Sequence, residues 1–200
     1  EYRVELADGT LVYLNAESEL RFPKQFRGKN RKVYLTGEGY FDVQRNEKQP
    51  FIVEAQQVEV RVLGTSFGVR AYTKEENVLT TLIQGRVNVE ADGQQVELNP
   101  GQQADFNRGN DRLTVAEVDV EQYVGWKDGR LVFDNKPLEF ILEELGRWYS
   151  FDVFYTNKEL KEIPYSLNIK KHEDIAHVLK FIERTGKVKF EVNKNTIIVK

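Results

Sequence analysis

Residues 58–72 of the chain, Val-Glu-Val-Arg-Val-Leu-Gly-Thr-Ser-Phe-Gly-Val-Arg-Ala-Tyr, show the pattern that most of the protein follows. Apolar and polar residues alternate on both sides of Gly64, and alternation of this kind predicts strands with one buried face. A glycine between two strand-like runs indicates a bulge, a bend or a close approach of another backbone segment. We therefore predict two short strands that are separated by an irregular segment at Gly64.

The first 120 residues repeat this alternation of short strands and turns. Asp8-Gly9 and Asp92-Gly93 each separate two strand-like runs, and this dipeptide is typical of the type I′ hairpin turn, in which both central residues have positive φ. Turn residues recur about every eight to twelve positions, and no helical periodicity is present. This combination predicts an all-β sandwich, jelly roll or barrel.

The pattern changes after residue 120. Apolar residues recur at helical spacing over 138–149 and again over 175–182, and strand-like runs flank both segments. Asn135 is the predicted N-cap of the first helix, and Gly186 is predicted to end the second.

Two domains follow from this change. We predict a mainly β protein, with an N-terminal antiparallel β sandwich or jelly-roll-like domain at residues 1–120. A small α+β domain at residues 121–200, with two strand–helix–strand units, completes the chain.

Composition excludes several classes of function. The 200 residues contain no Cys, which rules out disulfides, thiolate metal sites and a Cys nucleophile. The net charge of −3 argues against nucleic acid as the main partner. No apolar run approaches the ~18 residues that a membrane helix needs. The chain does not begin with Met, and we expect it to be part of a longer protein.

Few residues are arranged for catalysis. His172 and His177 lie five positions apart, whereas a pair of zinc ligands on one helix lies about four apart, and we predict neither a metal nor a cofactor. Gly64, Ser66 and Gly68 match the G-x-S-x-G pattern of hydrolases, but strand-like residues follow where that motif needs a helix. We predict that the protein is not an enzyme.

The peptide bond between Gly64 and Thr65 is a candidate for self-cleavage. Attack of the Thr65 hydroxyl on the preceding carbonyl would move the acyl group from nitrogen to oxygen and leave an ester that water cleaves. This reaction requires a strained peptide. In the alternative interpretation, Gly64 provides the bend and the Thr65 hydroxyl bonds to a turn.

Residues 21–32 carry six basic side chains and no acidic one. A patch of this kind suits phosphate, lipid headgroups or an acidic protein. A run of charge carries little recognition information by itself, and we favour a solvated hairpin tip.

Several segments resemble, in the same order, the FecR family of membrane-anchored anti-sigma factors of Gram-negative bacteria. The segments are LADGTLVYLN (6–15), LTGEGYFDV (35–43), PFIV (50–53), VLGTSFGV (62–69), QGRVNV (84–89) and LNPGQ (98–102). WKDGRLVF (126–133) and PLEFILEELGRWY (137–149) resemble the C-terminal module of the same family, which is similar to the short N-terminal domains of secretins and TonB-dependent transporters.

The resemblance implies a location and a set of partners. The chain would be periplasmic, anchored to the inner membrane by a segment absent from this sequence. The missing N-terminal part would consist of this membrane helix and a cytoplasmic segment that binds an extracytoplasmic-function sigma factor. The C-terminal module would receive a signal from the N-terminal signalling domain of an outer-membrane TonB-dependent transporter. Periplasmic and membrane proteases would then release the sigma factor. Some family members self-cleave at a Gly-Thr step, and Gly64–Thr65 occupies the matching position.

Three aromatic residues, Trp126, Trp148 and Tyr149, are candidates for partner contact. Packing between the two modules is the alternative role for these side chains, because aromatic residues dominate cores as well as binding hot spots. A different function, an extracytoplasmic module that binds glycans or other ligands, would place exposed Trp or Tyr on one β face. Both Trp residues lie outside the β domain, which counts against that function.

Overall fold

The computed structural model describes residues 2–170 and 173–200. The protein is mainly β, as predicted, with a large β-rich part followed by a small α+β part. The chain divides into two compact units, residues 1–127 and 128–200. The first unit therefore includes residues 121–127, which the predicted boundary assigned to the second domain.

Within residues 2–127, the first unit contains twelve strands and one short helix. The strands are β1 (Tyr2–Glu5), β2 (Leu11–Leu14), β3 (Glu19–Arg21), β4 (Arg31–Asp42), β5 (Phe51–Ala55), β6 (Val58–Val62), β7 (Ser66–Ala71), β8 (Asn77–Gln84), β9 (Val87–Ala91), β10 (Gln94–Leu98), β11 (Gln102–Asn107) and β12 (Arg112–Glu117). The helix is α1 (Glu121–Val124), and a 3-10 turn (Gly125–Asp128) follows it.

The long strand β4 belongs to both halves of the β structure. Its first half pairs with β3 and β5, and its second half pairs with β2 and β7. Gly37 lies where the partners change, with φ +93°, and a Cβ at this position would lie 2.4 Å from the Ser18 Oγ. From β4 the strand order continues through β5, β6, β9 and β10 on one side, and through β7, β8, β11 and β12 on the other.

Phenylalanine side chains from both halves pack together in the core. Phe41 on β4 stacks on Phe67 of β7, with 5.2 Å between the ring centroids, and it also contacts Phe51 of β5 at 6.3 Å. All three side chains have no exposed surface. Because β5 and β7 lie on different sides of β4, this contact joins the two halves into the predicted sandwich.

The two strands that flank Gly64 differ in burial. In β6 apolar residues are buried in alternation with more exposed polar ones, as predicted. In β7 every residue after Ser66 is buried, so the predicted single buried face is wrong for this strand. Both covered positions on the face that the sequence pattern leaves for solvent have an identified neighbour: a Cβ on Gly68 would lie 2.9 Å from Val124 of α1, and Arg70 pairs with Glu38 and Glu75.

The second unit contains the two predicted strand–helix–strand repeats. The first consists of β13 (Arg130–Pro137), α2 (Leu138–Tyr149) and β14 (Asp152–Tyr155), and the second of β15 (Pro164–Lys170), α3 (Ile175–Glu183) and β16 (Phe190–Asn193). A 3-10 turn (Lys158–Glu162) lies between the repeats, and β17 (Thr196–Val199) forms the closing hairpin with β16.

These strands form two separate sheets. One contains β13 and β15, and the other has the order β14-β17-β16, in which β14 and β17 are parallel. The apolar face of α2 is fully buried, as its periodicity predicts: Leu138, Ile141, Leu142 and Leu145 have no exposed surface.

The predicted capping of the helices is partly wrong. Asn135 is a residue of β13 with φ +49°, and α2 begins after Pro137 without a side-chain cap. Helix α3 is capped by Asp174, whose carboxylate accepts a hydrogen bond from the Ala176 amide at 2.9 Å. Gly186 has φ +73° in the turn beyond the end of α3.

Candidate functional site

The segment Leu63–Thr65, between β6 and β7, is held by backbone and side-chain hydrogen bonds to two other loops. The Asn46 amide donates to the Leu63 carbonyl at 2.7 Å, and the Val43 amide donates to the Thr65 carbonyl at 3.0 Å. On the other side, the Thr65 hydroxyl donates to the Arg86 carbonyl at 2.9 Å. Three chain segments that are far apart in sequence therefore converge at the Gly64–Thr65 bond.

Two glycines make this convergence possible. A Cβ on Gly64 would lie 2.5 Å from the Cα of Arg45, so the close backbone approach predicted from the sequence is confirmed. Gly85 has φ +98°, and a Cβ there would lie 2.8 Å from the Thr65 Oγ1. Any larger residue at either position would have to displace a neighbouring segment.

A groove of about 600 Å³ opens at this junction, and we refer to it as the Gly64 groove. Apolar and glycine residues contribute to its lining together with Thr65 and Asn88, and three arginines and one glutamate carry its charge. The apolar and charged members are Val62, Leu63, Val87, Arg45, Arg61, Arg86 and Glu97. The Leu63 side chain is exposed, at 45 % of its surface.

The geometry at the Gly64–Thr65 bond bears on the candidate self-cleavage. Thr65 is 5 % exposed, and its hydroxyl proton points to the Arg86 carbonyl. Neither Gly64 nor Thr65 is among the residues with left-handed φ. The Arg86 carbonyl lies at the bend between β8 and β9, so the Thr65 hydroxyl bonds to a turn of another segment, which agrees with the alternative interpretation.

The G-x-S-x-G match lacks the structural context of a hydrolase. Ser66 is the first residue of β7, so a strand follows the motif where a nucleophile elbow has a helix. The Ser66 hydroxyl donates to the Asp42 carboxylate at 2.8 Å. A carboxylate alone, without a histidine between it and the hydroxyl, is a poor general base for serine.

The three aromatic candidates for partner contact occupy different units. Trp126 lies in the 3-10 turn of the first unit and is 4 % exposed. Trp148 and Tyr149 are half-buried at the end of α2 in the second unit. The Tyr149 hydroxyl donates to the Glu173 carbonyl at 2.7 Å. Burial raises the pKa of Tyr149, and the charges of Glu173 and Asp174 raise it further.

The outer strands of the sheet β14-β17-β16 carry exposed apolar side chains that the sequence analysis did not identify. These strands, β14 and β16, each pair, in the described part of the chain, with β17 alone. Phe154 on β14 is 60 % exposed and Val192 on β16 is 62 % exposed, so each outer strand carries a large apolar side chain in solvent. The sequence contains a signal for this exposure in the consecutive apolar residues Val-Phe-Tyr at 153–155. A strand with one buried face needs an apolar residue only at every second position, so a run of three places at least one of them on the other face.

The basic segment at residues 21–32 is divided by the fold. Residues 22–30 form an exposed loop in which only Phe26 is half-buried, as expected for a hairpin tip. Arg31, in contrast, is 1 % exposed and pairs with Asp8. The Lys32 ammonium donates a hydrogen bond to the Glu54 carboxylate at 3.2 Å. Burial lowers the pKa of Lys32, but this hydrogen bond and the charges of Glu54 and Glu59 together raise the pKa above its ordinary value.

No cluster suited to a metal ion is present among residues 2–170 and 173–200. His172 lies outside the described residues. Within the same ranges, none of the helices combines the length and the apolar character needed to cross a membrane.

Comparison with known proteins defines the class. Two crystal structures of a candidate anti-sigma factor from Parabacteroides distasonis are similar to the chain. The 1.65 Å structure has a TM-score of 0.91 and 28 % identity over 100 % of this chain and 93 % of that chain. The 2.50 Å structure has a TM-score of 0.90 and 28 % identity over 99 % and 92 % of the two chains. No curated protein matches.

The family models agree with this class and are more specific. The model described as "FecR protein" matches residues 1–88, and the model described as "FecR, C-terminal" matches residues 130–199. Their order along the chain is the one that the sequence motifs predicted. The chain belongs to the FecR family of anti-sigma factors, and the resemblance noted in the sequence is confirmed. Membership in this family implies a sigma factor as a partner.

Proposed function

We propose that this protein relays a signal from an outer-membrane TonB-dependent transporter to an extracytoplasmic-function sigma factor, and that it does so by protein–protein contact without catalysis. The second unit receives the signal from the N-terminal signalling domain of the transporter. Regulation of the sigma factor is the part of this function that family membership supports directly.

The observation that carries the proposal is the pair of open edges in the sheet β14-β17-β16. An outer strand with unpaired backbone groups accepts a further strand from a partner, and such β-augmentation gives affinity through main-chain hydrogen bonds. Phe154 and Val192 add exposed apolar surface on the two outer strands. Such surface does not stabilise a monomer, and it is typical of a site that binds another protein. These features suit a docking surface for another small α+β or β domain.

The location and the remaining partners belong to the same proposal. We place the chain in the periplasm, anchored to the inner membrane by a helix outside this sequence, with the sigma factor bound by a cytoplasmic segment on the other side of that membrane. Periplasmic and membrane proteases act on the protein after the transporter has docked, and their action releases the sigma factor. The support is the anti-sigma class of the structural relatives, together with the two family matches.

The experiment is an affinity pull-down from solubilised outer membrane with the 200-residue chain as bait, followed by mass spectrometry of the retained proteins. We expect enrichment of a TonB-dependent transporter. Deletion of residues 128–200 abolishes the enrichment, because this deletion removes the whole second unit and leaves the first unit complete. The double variant Phe154→Glu/Val192→Glu abolishes it as well, since both side chains are exposed and the changes leave the core intact.

A matched control places two glutamates on exposed residues of the first unit. Tyr2 is 80 % exposed and Val115 is 40 % exposed, and Tyr2→Glu/Val115→Glu retains the transporter. Retention of polysaccharide without a transporter would instead support the alternative function, an extracytoplasmic glycan- or ligand-binding β module. Equal loss in both double variants would contradict a contact through β14 and β16.

A further inference from the structure

The Gly64 groove lies in the first unit and has no role in the proposed relay through the second unit. Its volume of about 600 Å³ is within the range of roughly 300–1,000 Å³ that is typical of ligand sites. The loop–loop hydrogen bonds at Leu63 and Thr65 fix its walls, so the groove is formed before any ligand arrives. A preformed site avoids the entropy cost of ordering its own walls on binding.

The groove combines an apolar surface with exposed guanidinium groups. Leu63 is 45 % exposed beside the buried Val62 and Val87, which provides a place for an apolar side chain. Three guanidinium groups line the groove, against the single carboxylate of Glu97. Two further carboxylates, those of Glu47 and Glu59, lie beside the groove, so its arginines are balanced by carboxylates of the chain.

The three arginines have partners in the chain, and these partners are easily exchanged. Arg45 pairs with Glu47 at 2.5 Å, Arg61 with Glu59 at 2.7 Å and Arg86 with Glu97 at 3.7 Å. The arginine side chains are 75 %, 44 % and 82 % exposed, respectively. Exposed ion pairs of this kind contribute little to stability, so a carboxylate from a ligand can replace the internal partner at small cost.

We infer that the Gly64 groove binds an extended acidic peptide segment of a partner protein, with carboxylates on Arg45, Arg61 and Arg86 and an apolar side chain against Leu63. Guanidinium groups bind carboxylates through two parallel hydrogen bonds, which gives orientation as well as attraction. The combination of apolar lining and arginine fits a peptide that alternates acidic and apolar residues, since successive side chains of an extended chain point in opposite directions.

The test uses a fluorescein-labelled octapeptide of alternating Glu and Leu, titrated with the 200-residue chain and followed by anisotropy. We expect saturable binding, and no binding of the matched peptide of alternating Gln and Leu. In 15N NMR spectra the amide signals of Gly64, Gly85 and Asn88 shift during the titration. The triple variant Arg45→Gln/Arg61→Gln/Arg86→Gln weakens binding roughly tenfold, because three exposed charge pairs are lost.

Two further variants separate recognition from general charge attraction. Arg21→Gln/Arg112→Gln/Arg184→Gln removes the same charge from exposed residues elsewhere and leaves the affinity unchanged. Leu63→Asn weakens binding without a change of charge. The inference is wrong if the Glu/Leu peptide does not saturate, if both triple variants lose affinity equally, or if the shifted signals lie outside the groove. None of these outcomes affects the pull-down through the second unit.

Discussion

Arg31 of β4 and Asp8 of the first hairpin form a largely buried ion pair, with 2.6 Å between Nη1 and Oδ2. The Arg31 side chain is 1 % exposed and also donates to the carbonyls of Gln44 and Gln49, both at 2.8 Å. One side chain therefore links the hairpin before β4 to the loop after it.

We expect the substitution Arg31→Leu to lower the free energy of unfolding by about 3 kcal/mol, because removal of one partner leaves the other charge uncompensated in a poorly hydrated place. Urea denaturation followed by circular dichroism measures this change. Arg27→Leu is the control: Arg27 is exposed in the preceding loop, and its replacement changes stability by less than about 0.5 kcal/mol. Equal effects of the two substitutions would show that Arg31 does not have the proposed structural role.

Gly64→Ala is expected to destabilise the protein by about 2 kcal/mol. The added Cβ would meet the Cα of Arg45 at 2.5 Å, and a backbone atom cannot move aside as the end of a side chain does. Thermal unfolding at a fixed heating rate measures the change. Gly109→Ala is the matched control, because the nearest atom to a Cβ there is the Asn107 Oδ1 at 3.3 Å, and we expect little loss of stability.

The bond between Gly64 and Thr65 is expected to stay intact. The Thr65 hydroxyl is engaged with the Arg86 carbonyl, and neither Gly64 nor Thr65 has a left-handed φ. Mass spectrometry of purified protein under denaturing conditions should give one species at 23.3 kDa. Denaturation is essential, because the pairing of β4 with β7 would hold the two fragments together in native buffer.

The control for this experiment is Thr65→Val, which has no hydroxyl and gives the same single species. A pair of fragments that end at Gly64 and begin at Thr65, present in the unmodified chain and absent from Thr65→Val, would establish self-cleavage instead.

The stability of the first unit should depend on the protonation of Asp105. Burial raises the pKa of this carboxyl above its ordinary value of 3.8, although a hydrogen bond from Asn77 partly opposes the shift. One carboxyl oxygen, Oδ1, is buried without a hydrogen-bond partner in the described residues. A raised folded-state pKa means that the protonated form favours the fold, so this contribution is complete below pH 3.8 and is lost as the pH rises through the folded pKa.

We therefore expect Asp105→Asn to stabilise the protein at pH 7, with a gain that shrinks toward zero when the pH falls below about 4. Urea denaturation at a series of pH values measures this difference. Asp111→Asn, at an exposed turn residue, serves as the control for the general effect of removing one negative charge. A gain that does not change with pH would contradict the role assigned to Asp105.

Local patterns in the sequence predicted most of the secondary structure, and long-range contacts explain the failures. Asp92 and Gly93 both have positive φ, at +45° and +71°, as the type I′ prediction requires. At the first Asp-Gly pair only Gly9 has positive φ. There the Asp8 carboxylate accepts from the Thr10 amide at 3.1 Å and also pairs with Arg31, and these contacts hold Asp8 in a different turn.

The candidate site could be predicted from the sequence in part. Gly64 was identified as a close backbone approach because a glycine interrupts two strand patterns. The loops that approach it, at Arg45 and at Gly85, lie about twenty residues away on either side, and no local pattern indicates which segments meet. For the same reason the sequence does not show that β4 pairs with β5 in parallel. The alternation within each strand indicates which face is buried, but it does not identify the neighbouring strand.

Strand β4 pairs with strands of both halves of the β structure, and this pairing limits the order in which the first unit can fold as the chain emerges. Its four partner strands, β2, β3, β5 and β7, extend from residue 11 to residue 71. A chain that emerges from its N-terminus cannot complete β4 before β7 has emerged, and non-local pairing of this kind folds slowly. Until then β4 has unpaired edges that other unfolded chains can pair with, so association between chains is most favourable before β7 has emerged.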